Sequence, residues 1–219
     1  MGHVNMAVPG IIAKKVGMTR VVDDQGRMVP VTLLSIDNQK VTKICTPEKE
    51  GYHAVQVGYF QKRETRLTKP DVSRLRKVGV NENYARFKEF RTEGTLEGVE
   101  VGSAVEVASV LEGVTAVDIT GVSKGRGFQG AVKRWGASTG RRTHGSHFHR
   151  RPGSLGQCTT PSRVYKNKHV PGHMGNKQRT VQNLQVIKVD AENSVVAIKG
   201  SVPGHNNGYL IIKPSIKAK

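Results

Sequence analysis

The sequence predicts a mainly β protein, in which a small closed β-barrel carries a small α+β insert and a long basic extended loop. Short β-branched runs recur between turn residues, and this rhythm breaks near residues 61–95. Residues 119–189 contain 14 Lys and Arg and no Asp or Glu. We therefore expect a barrel body from residues 1–120 and 181–219, an insert near 61–95, and a basic extension at 121–180.

The expected strands are short and partly alternate between apolar and polar residues. Turn residues at 24–26 and 37–38 separate the first of them, and residues 190–194 are typical of a hairpin connection. Many short strands at this spacing favour a small closed barrel. The runs span residues 29–36, 40–44, 53–59, 99–110, 115–120, 181–189, 194–199 and 209–213.

The insert has a different pattern from its surroundings. Pro70 is typical of a helix start, and Val72, Leu75 and Val78 follow at helical spacing. The sequence therefore predicts a short helix with these three side chains facing inward.

The basic extension has very few apolar residues. Between Lys133 and Arg163, only Trp135, Phe148 and Leu155 are large and apolar. So little apolar area cannot offset the ~1–2 kcal/mol of backbone entropy that each residue loses on ordering. The extension is therefore expected to be either a disordered insert or a segment that its partner orders.

The net charge indicates a polyanionic partner. The chain has a formal charge of +18 and a pI near 10.2, yet outside residues 119–189 it has 21 basic and 17 acidic side chains. Such an excess favours nucleic acid or an anionic membrane surface. No apolar run approaches the roughly 18 residues of a membrane span, so we expect no transmembrane segment. Of the two kinds of polyanionic partner, we expect nucleic acid and no membrane.

The segment 125–130 matches the pattern GxGxxG and follows a strand-like run. A dinucleotide site would also have an acidic residue about 20 positions later to hold the ribose. The next acid is Asp190, which argues against this class of site. Glycines here are better explained by close approach of the backbone to phosphates, with Lys124 and Arg126 beside them.

Three histidines, His144, His147 and His149, suggest a zinc site, with further candidate ligands at Cys158, His169 and His173. Zinc-bound imidazoles usually need acceptors such as carboxylates to orient them, whereas arginines surround these. Nucleophilic catalysis lacks a local carboxylate in the same way. We therefore expect no metal, no cofactor, no small-molecule substrate and no enzymatic activity.

The residue types of the extension suit RNA. Arginine pairs with phosphate oxygens in a bidentate manner, and histidine and aromatic rings stack on bases. No helix-turn-helix, zinc finger or basic zipper is visible for reading DNA. We expect residues 141–157 to lie deepest in the RNA, where a β-branched side chain at Gly153 would clash if that backbone is closely packed or has φ above zero.

Several long motifs lie in collinear order along the chain, and they span residues 13–20, 120–130, 133–135, 143–146, 151–157, 172–176 and 200–204. Together they resemble the large-subunit ribosomal protein L3 family, in its compact bacterial or organellar form. The resemblance runs from Ile11 to Lys217, and residues 1–9 precede it as an addition.

The resemblance implies a barrel of the translation-factor type and an extension that reaches through ribosomal RNA toward the peptidyl-transferase centre. It implies a cytoplasmic, ribosomal protein that helps to initiate large-subunit assembly and neighbours L14 and L19. Gln157 matches a glutamine that is side-chain methylated in some members, and it could equally be unmodified. The residues expected to bind rRNA are Lys14, Lys15, Arg20, Lys124, Arg126, Lys133, Arg134, Trp135, Arg141, Arg142, His144, His147, His149, Arg150, Arg151, Arg163, Lys166, Lys168, Lys177 and Arg179.

Two alternatives belong to other classes of function. One is a free enzyme with a basic substrate loop, and the other is an RNA chaperone or general nucleic-acid-binding protein. Co-sedimentation with large ribosomal subunits distinguishes a ribosomal protein from both.

Overall fold

The computed structural model describes residues 8–23, 25–92, 94, 99–111 and 113–218. Most of the expected addition at residues 1–9, and Asp24 of the predicted turn, lie outside them. The chain divides into two compact units, Met1–Val122 with Gln178–Lys219, and Ser123–Lys177. The strands are β1 Ile11–Val22, β2 Met28–Ser35, β3 Lys40–Cys45, β4 Ala54–Gln61, β5 Tyr84–Arg91, β6 Ala116–Val122, β7 Gly127–Gln129, β8 Gly172–Met174, β9 Gln178–Asp190, β10 Val195–Lys199 and β11 Tyr209–Pro214. The helices are α1 Pro47–Glu50, α2 Lys69–Lys77, α3 Val107–Leu111 and α4 Ala131–Trp135.

Six strands of the first unit pair in a ring. The order is β1-β11-β6-β9-β10-β2, every neighbouring pair is antiparallel, and β2 pairs back onto β1 to close a barrel. Alternate side chains of these strands face inward, and Ile11, Leu34, Ile119, Ile198 and Ile212 are fully buried. The mainly β class predicted from the sequence is confirmed.

Strands β3, β4 and β5 form a separate antiparallel sheet. The runs at 40–44 and 53–59 are therefore strands, but their assignment to the barrel ring is wrong. Short alternating runs show only that one face is buried, and not which sheet covers it.

Helix α2 follows the predicted start, with Pro70 in its first turn. Val72 and Leu75 are buried as expected, whereas Val78 is exposed. The helix ends at Lys77, so helical spacing no longer directs Val78 inward. Val80, beyond the helix, packs with Leu75 and Tyr84 instead.

The strand expected at 99–110 is wrong. Val107–Leu111 is the short helix α3, and Val105, Val107, Val110 and Leu111 are buried in the main core. A short run rich in valine is ambiguous between a strand and a buried helix segment. Strand β1 is absent from the strands expected above. Its lysines, Arg20 and Gly17 interrupt the alternation of apolar and polar residues by which the other strands were predicted.

No helix in the described part of the chain is long and apolar enough to cross a membrane.

The buried amide of Gln39 holds the backbone of β1. Its Oε1 accepts a hydrogen bond from the Ile12 N–H at 3.1 Å, and its Nε2 donates to the Ile12 carbonyl. The residue is only 1% exposed. The side chain thus satisfies backbone groups that solvent cannot reach.

We expect Gln39→Leu to lower the free energy of unfolding by about 2–4 kcal/mol, because both backbone groups of Ile12 would lose these partners inside the protein. Gln25→Leu, at an exposed turn, is a control and is expected to change it by less than about 0.5 kcal/mol. Urea unfolding of both variants measures the difference. Equal stabilities would contradict a structural role for the Gln39 amide.

Candidate nucleic-acid interface

The second unit, Ser123–Lys177, is called the extension from here on. It contains 12 Lys and Arg, five His and no Asp or Glu. Its regular elements are the short β7, α4 and β8, and residues 136–171 contain no helix or strand. Most of its polar backbone is therefore left for turns, solvent or a bound partner.

Paired backbone groups close the base of the extension. The Ser123 N–H donates to the Lys177 carbonyl at 2.9 Å, and the Arg126 N–H donates to the Met174 carbonyl at 2.9 Å. Strands β7 and β8 continue this antiparallel pairing. Gly175 has φ +73°, and a Cβ there would lie 2.1 Å from the Lys124 carbonyl oxygen, so this close approach requires glycine.

Trp135 and His169 form an aromatic platform in the extension. The Trp135 and His169 rings stack with centroids 4.4 Å apart and an interplanar angle of 12°. The Trp135 indole and the Arg134 guanidinium both donate to the Val170 carbonyl, at 3.0 and 2.8 Å. These hydrogen bonds between helix α4 and Val170 thus fix the orientation of the stacked rings. Trp135 nevertheless has 45% of its surface exposed.

The tip, residues 140–157, is organised around Phe148. The Gly140 N–H donates to the His149 carbonyl at 2.7 Å, and the Arg151 N–H donates to the Phe148 carbonyl at 3.0 Å. A Cβ on Gly140 would lie only 2.9 Å from the Phe148 ring, so the ring packs against bare backbone. The arginines of this loop remain exposed.

The structure gathers most of the predicted site residues in the extension. Lys14 and Arg20 lie on β1 and Arg179 on β9, all in the first unit. Those in the extension are exposed except for the half-buried Arg134, and comprise Lys124, Arg126, Lys133, Arg134, Trp135, Arg141, Arg142, His144, His147, His149, Arg150, Arg151, Arg163, Lys166, Lys168 and Lys177.

Lys15 does not suit the role predicted for it. Its side chain is buried, and its ammonium donates to the carbonyls of Val202 and Gly204 at 3.1 and 3.4 Å. The register of β1 directs this lysine inward, where its ammonium group donates hydrogen bonds to the backbone carbonyls of a neighbouring loop. The expected interaction with RNA phosphate is therefore wrong for Lys15.

Further exposed rings extend the surface beyond the predicted set. Phe128 is 77% exposed on β7 and Tyr165 is 62% exposed, with the Arg163 guanidinium 5.3 Å from the Tyr165 centroid. Large exposed rings beside cations are typical of surfaces that stack on bases. The signal for Phe128 is its position directly after Arg126 and Gly127, inside the glycine motif.

The described residues include no group of three or more His, Cys, Asp or Glu arranged to hold a metal ion. We expect chelation with EDTA to leave the circular dichroism spectrum and thermal unfolding of the tag-free protein unchanged, because we expect His144, His147 and His149 to act by packing and hydrogen bonding to RNA and not by binding zinc. Stoichiometric zinc by mass spectrometry, with loss of structure on chelation, would contradict this expectation.

The glycine motif at 125–130 takes a form different from a dinucleotide site. It runs through β7, whose partner is the antiparallel β8, and then enters the five-residue helix α4. A dinucleotide fold would place these glycines between a parallel strand and a long helix. The motif therefore belongs to the base of the extension.

Comparison with known proteins gives the family. A family model described as ribosomal protein L3 matches residues 91–196. The chain is 45% identical over 210 residues to large ribosomal subunit protein uL3 of Shewanella pealeana, covering 95% of this chain and 99% of that protein. With the same coverage, it is 47% identical to uL3 of Vibrio cholerae serotype O1 and 44% identical to uL3 of Aliivibrio fischeri.

The chain belongs to the ribosomal protein L3 family. The resemblance predicted from the motifs is thus confirmed over nearly the whole chain. L3 proteins are a ribosomal structural family and not enzymes. This excludes the first alternative function, a free enzyme with a basic substrate loop. The acid-free extension lies entirely within the segment that the L3 family model matches.

Proposed function

We propose that the protein is a structural constituent of the large ribosomal subunit that binds large-subunit rRNA mainly through the extension. The observation that carries this proposal is the partition of charge: one compact unit holds 12 Lys and Arg without an acid. A surface of this kind repels itself in isolation and is neutralised by phosphate. Membership in the L3 family points to the same partner.

The proposed interactions divide into two kinds. Exposed arginines at the tip, such as Arg141, Arg142, Arg150 and Arg151, suit bidentate pairing with phosphates. The Trp135–His169 platform and the rings of Phe128 and Tyr165 suit stacking on unpaired bases. Together they favour irregular, folded RNA over a regular duplex.

Finer features of this function rest on the resemblance to the family. We infer a barrel of the translation-factor type, with the tip directed toward the peptidyl-transferase centre. On the same basis, the protein acts early in large-subunit assembly in the cytoplasm, beside L14 and L19. Cross-linking of purified subunits, followed by mass spectrometry of the linked peptides, tests both neighbours.

Gln157 is proposed as a site of side-chain methylation. It is exposed in the tip, so a modifying enzyme could reach its amide before the protein meets RNA. Mass spectrometry of the protein from purified subunits gives the answer directly. A Gln157 peptide without the added mass of a methyl group would show that this chain is unmodified.

Sedimentation tests the main proposal. The protein, tagged at its C-terminus, is expected to sediment with large subunits and to remain there through a wash in moderate salt. An RNA chaperone or general nucleic-acid-binding protein would instead be released or spread over other RNA fractions, and that distribution would overturn the proposal.

A further inference from the structure

A cavity of about 570 Å³ lies in the first unit, between the barrel and the separate β3-β4-β5 sheet. Its lining includes Tyr59 and Phe60 of β4, Arg86 of β5 and Tyr209 of β11. These positions are far apart in the chain and meet only in the folded unit. The volume is within the range of about 300–1,000 Å³ typical of ligand pockets.

Three aromatic rings form one wall of this cavity. Tyr209 contacts the rings of Tyr59 and Phe60 edge to face, with both centroid distances 5.3 Å. Phe60 has φ +63°, a left-handed conformation that costs a non-glycine residue ~1–2 kcal/mol. The fold therefore holds the Phe60 ring at this wall at the expense of backbone strain, which is commonly found at binding sites.

Cations border the same rings. The Arg86 guanidinium lies 5.6 Å from the Phe60 centroid and 5.9 Å from that of Tyr209, and the Lys62 ammonium lies 5.0 Å from Phe60. Lys14 and Lys88 also line the cavity. Among the described residues that line it, none is Asp or Glu.

The Asp37 carboxylate approaches the aromatic wall at the hydroxyl of Tyr209. The Tyr209 hydroxyl donates to Asp37 Oδ2 at 3.4 Å. Burial, together with this carboxylate, raises the pKa of Tyr209 to about 12, so its hydroxyl stays neutral at physiological pH. The ring is thus oriented by Asp37 while its aromatic surface belongs to the cavity wall.

We propose that this aromatic–cationic cavity binds one unstacked nucleotide of the large-subunit rRNA, separately from the extension. The rings would contact the base, and Lys14, Arg86 and Lys88 would neutralise the adjoining phosphates. The inference rests on the proposed function, because it takes rRNA as the partner. Aromatic rings and arginine beside an acid-free cationic border match a base joined to phosphates, whereas an apolar protein segment would not require the cations.

Photo-cross-linking in intact large subunits tests the proposal. Subunits are purified from cells in which this chain is the only L3 protein, irradiated at 254 nm, digested with nuclease and trypsin, and studied by mass spectrometry. We expect a nucleotide adduct that peptide fragmentation places on Tyr59 or Phe60, or on Tyr209, and not on Tyr52, which lies in the same tryptic peptide as Phe60. Dimethyl sulfate and carbodiimide probing of the same subunits is expected to show that nucleotide as protected.

A pair of double variants provides matched surfaces. Phe60→Asn with Arg86→Gln removes a ring and a cation from the cavity, and Asn tolerates the left-handed backbone at position 60. Tyr52→Asn with Arg91→Gln removes a similar pair at the end of the same sheet, where Arg91 ends β5 and Tyr52 precedes β4. The Arg91 guanidinium lies 4.8 Å from the Tyr52 centroid, and both residues are outside the cavity lining. Thermal unfolding of each purified variant checks its fold.

The cavity variant is expected to reduce the adduct and the base protection about ten-fold or more, while the control leaves both unchanged. Absence of the wild-type chain from large subunits would overturn the proposed function itself. Wild-type subunits with no adduct at this wall, an adduct to a protein peptide instead of a nucleotide, or equal protection in both variants would overturn only the cavity proposal. Should the cavity variant fail to fold, the wild-type adduct still decides the outcome.

Discussion

Replacing residues 124–176 by Asn-Gly is expected to leave a folded barrel that binds rRNA at least about 100-fold more weakly. Ser123 and Lys177 already pair across the base of the extension, so a two-residue hairpin turn can join them without moving β6 or β9. The replacement removes 11 of the 12 Lys and Arg of the extension. Every phosphate that the truncated protein no longer neutralises lowers the salt dependence of binding by roughly 0.7–0.9 in log–log slope.

Filter binding to rRNA over a range of potassium concentrations measures the affinity and the slope, and circular dichroism confirms the fold. A full-length variant with the same 11 residues changed to Gln separates charge from connectivity and is expected to reduce the slope by as much. A truncated protein with wild-type affinity and an unchanged slope would show that the extension is not the main RNA-binding surface.

Gly140→Val is expected to permit subunit assembly but to slow peptide-bond formation about ten-fold. The new Cβ would lie 2.9 Å from the Phe148 ring and 3.3 Å from the His149 nitrogen, so the centre of the tip must shift. If the tip lies near the catalytic centre as proposed, a displacement of about 1 Å there can misplace a reacting group. Single-turnover assays on purified subunits measure the rate.

Gly153→Val is the matched control. A β-branched side chain at Gly153 would clash only if that backbone were closely packed or had a positive φ, and within the protein a Cβ there would meet Phe148 at an ordinary 3.5 Å. We therefore expect rates within about two-fold of the wild type for Gly153→Val.

Arg142→Ala removes a positive charge from the tip without introducing a steric clash, and it is also expected to slow peptide-bond formation. Wild-type rates in both Gly140→Val and Arg142→Ala would place the tip away from the catalytic centre.

Much of the body could be predicted because its strands show, within each local run, a partial alternation of apolar and polar residues. The runs at 29–36, 115–120, 194–199 and 209–213 correspond to β2, β6, β10 and β11. The strand predicted at 99–110 was wrong because closely spaced valines are compatible with both a strand and a buried turn of helix. Strand β1 was missed because its polar half conceals the alternation of its buried half.

The binding surface was predictable to a different extent. Exposed cations at the tip could be identified from composition, since nothing in so apolar-poor a segment could bury them. Lys15 was misassigned because a lysine on a strand can face either way, and only the barrel register decides which. The cavity at Phe60 and Tyr209 left no local signal, because its residues lie about 150 positions apart.

The amino-acid sequence by itself determined where the charge lies and what it attracts, since the absence of acids from residues 119–189 holds in any conformation. It also determined the mainly β class through local alternation. Only the tertiary structure decided that β3, β4 and β5 form a sheet separate from the barrel ring, that Trp135 stacks on His169, and that the distant ring of Tyr209 shares one cavity with those of Tyr59 and Phe60. These features depend on pairing between segments remote in the chain, and side-chain periodicity specifies a buried face without specifying what buries it.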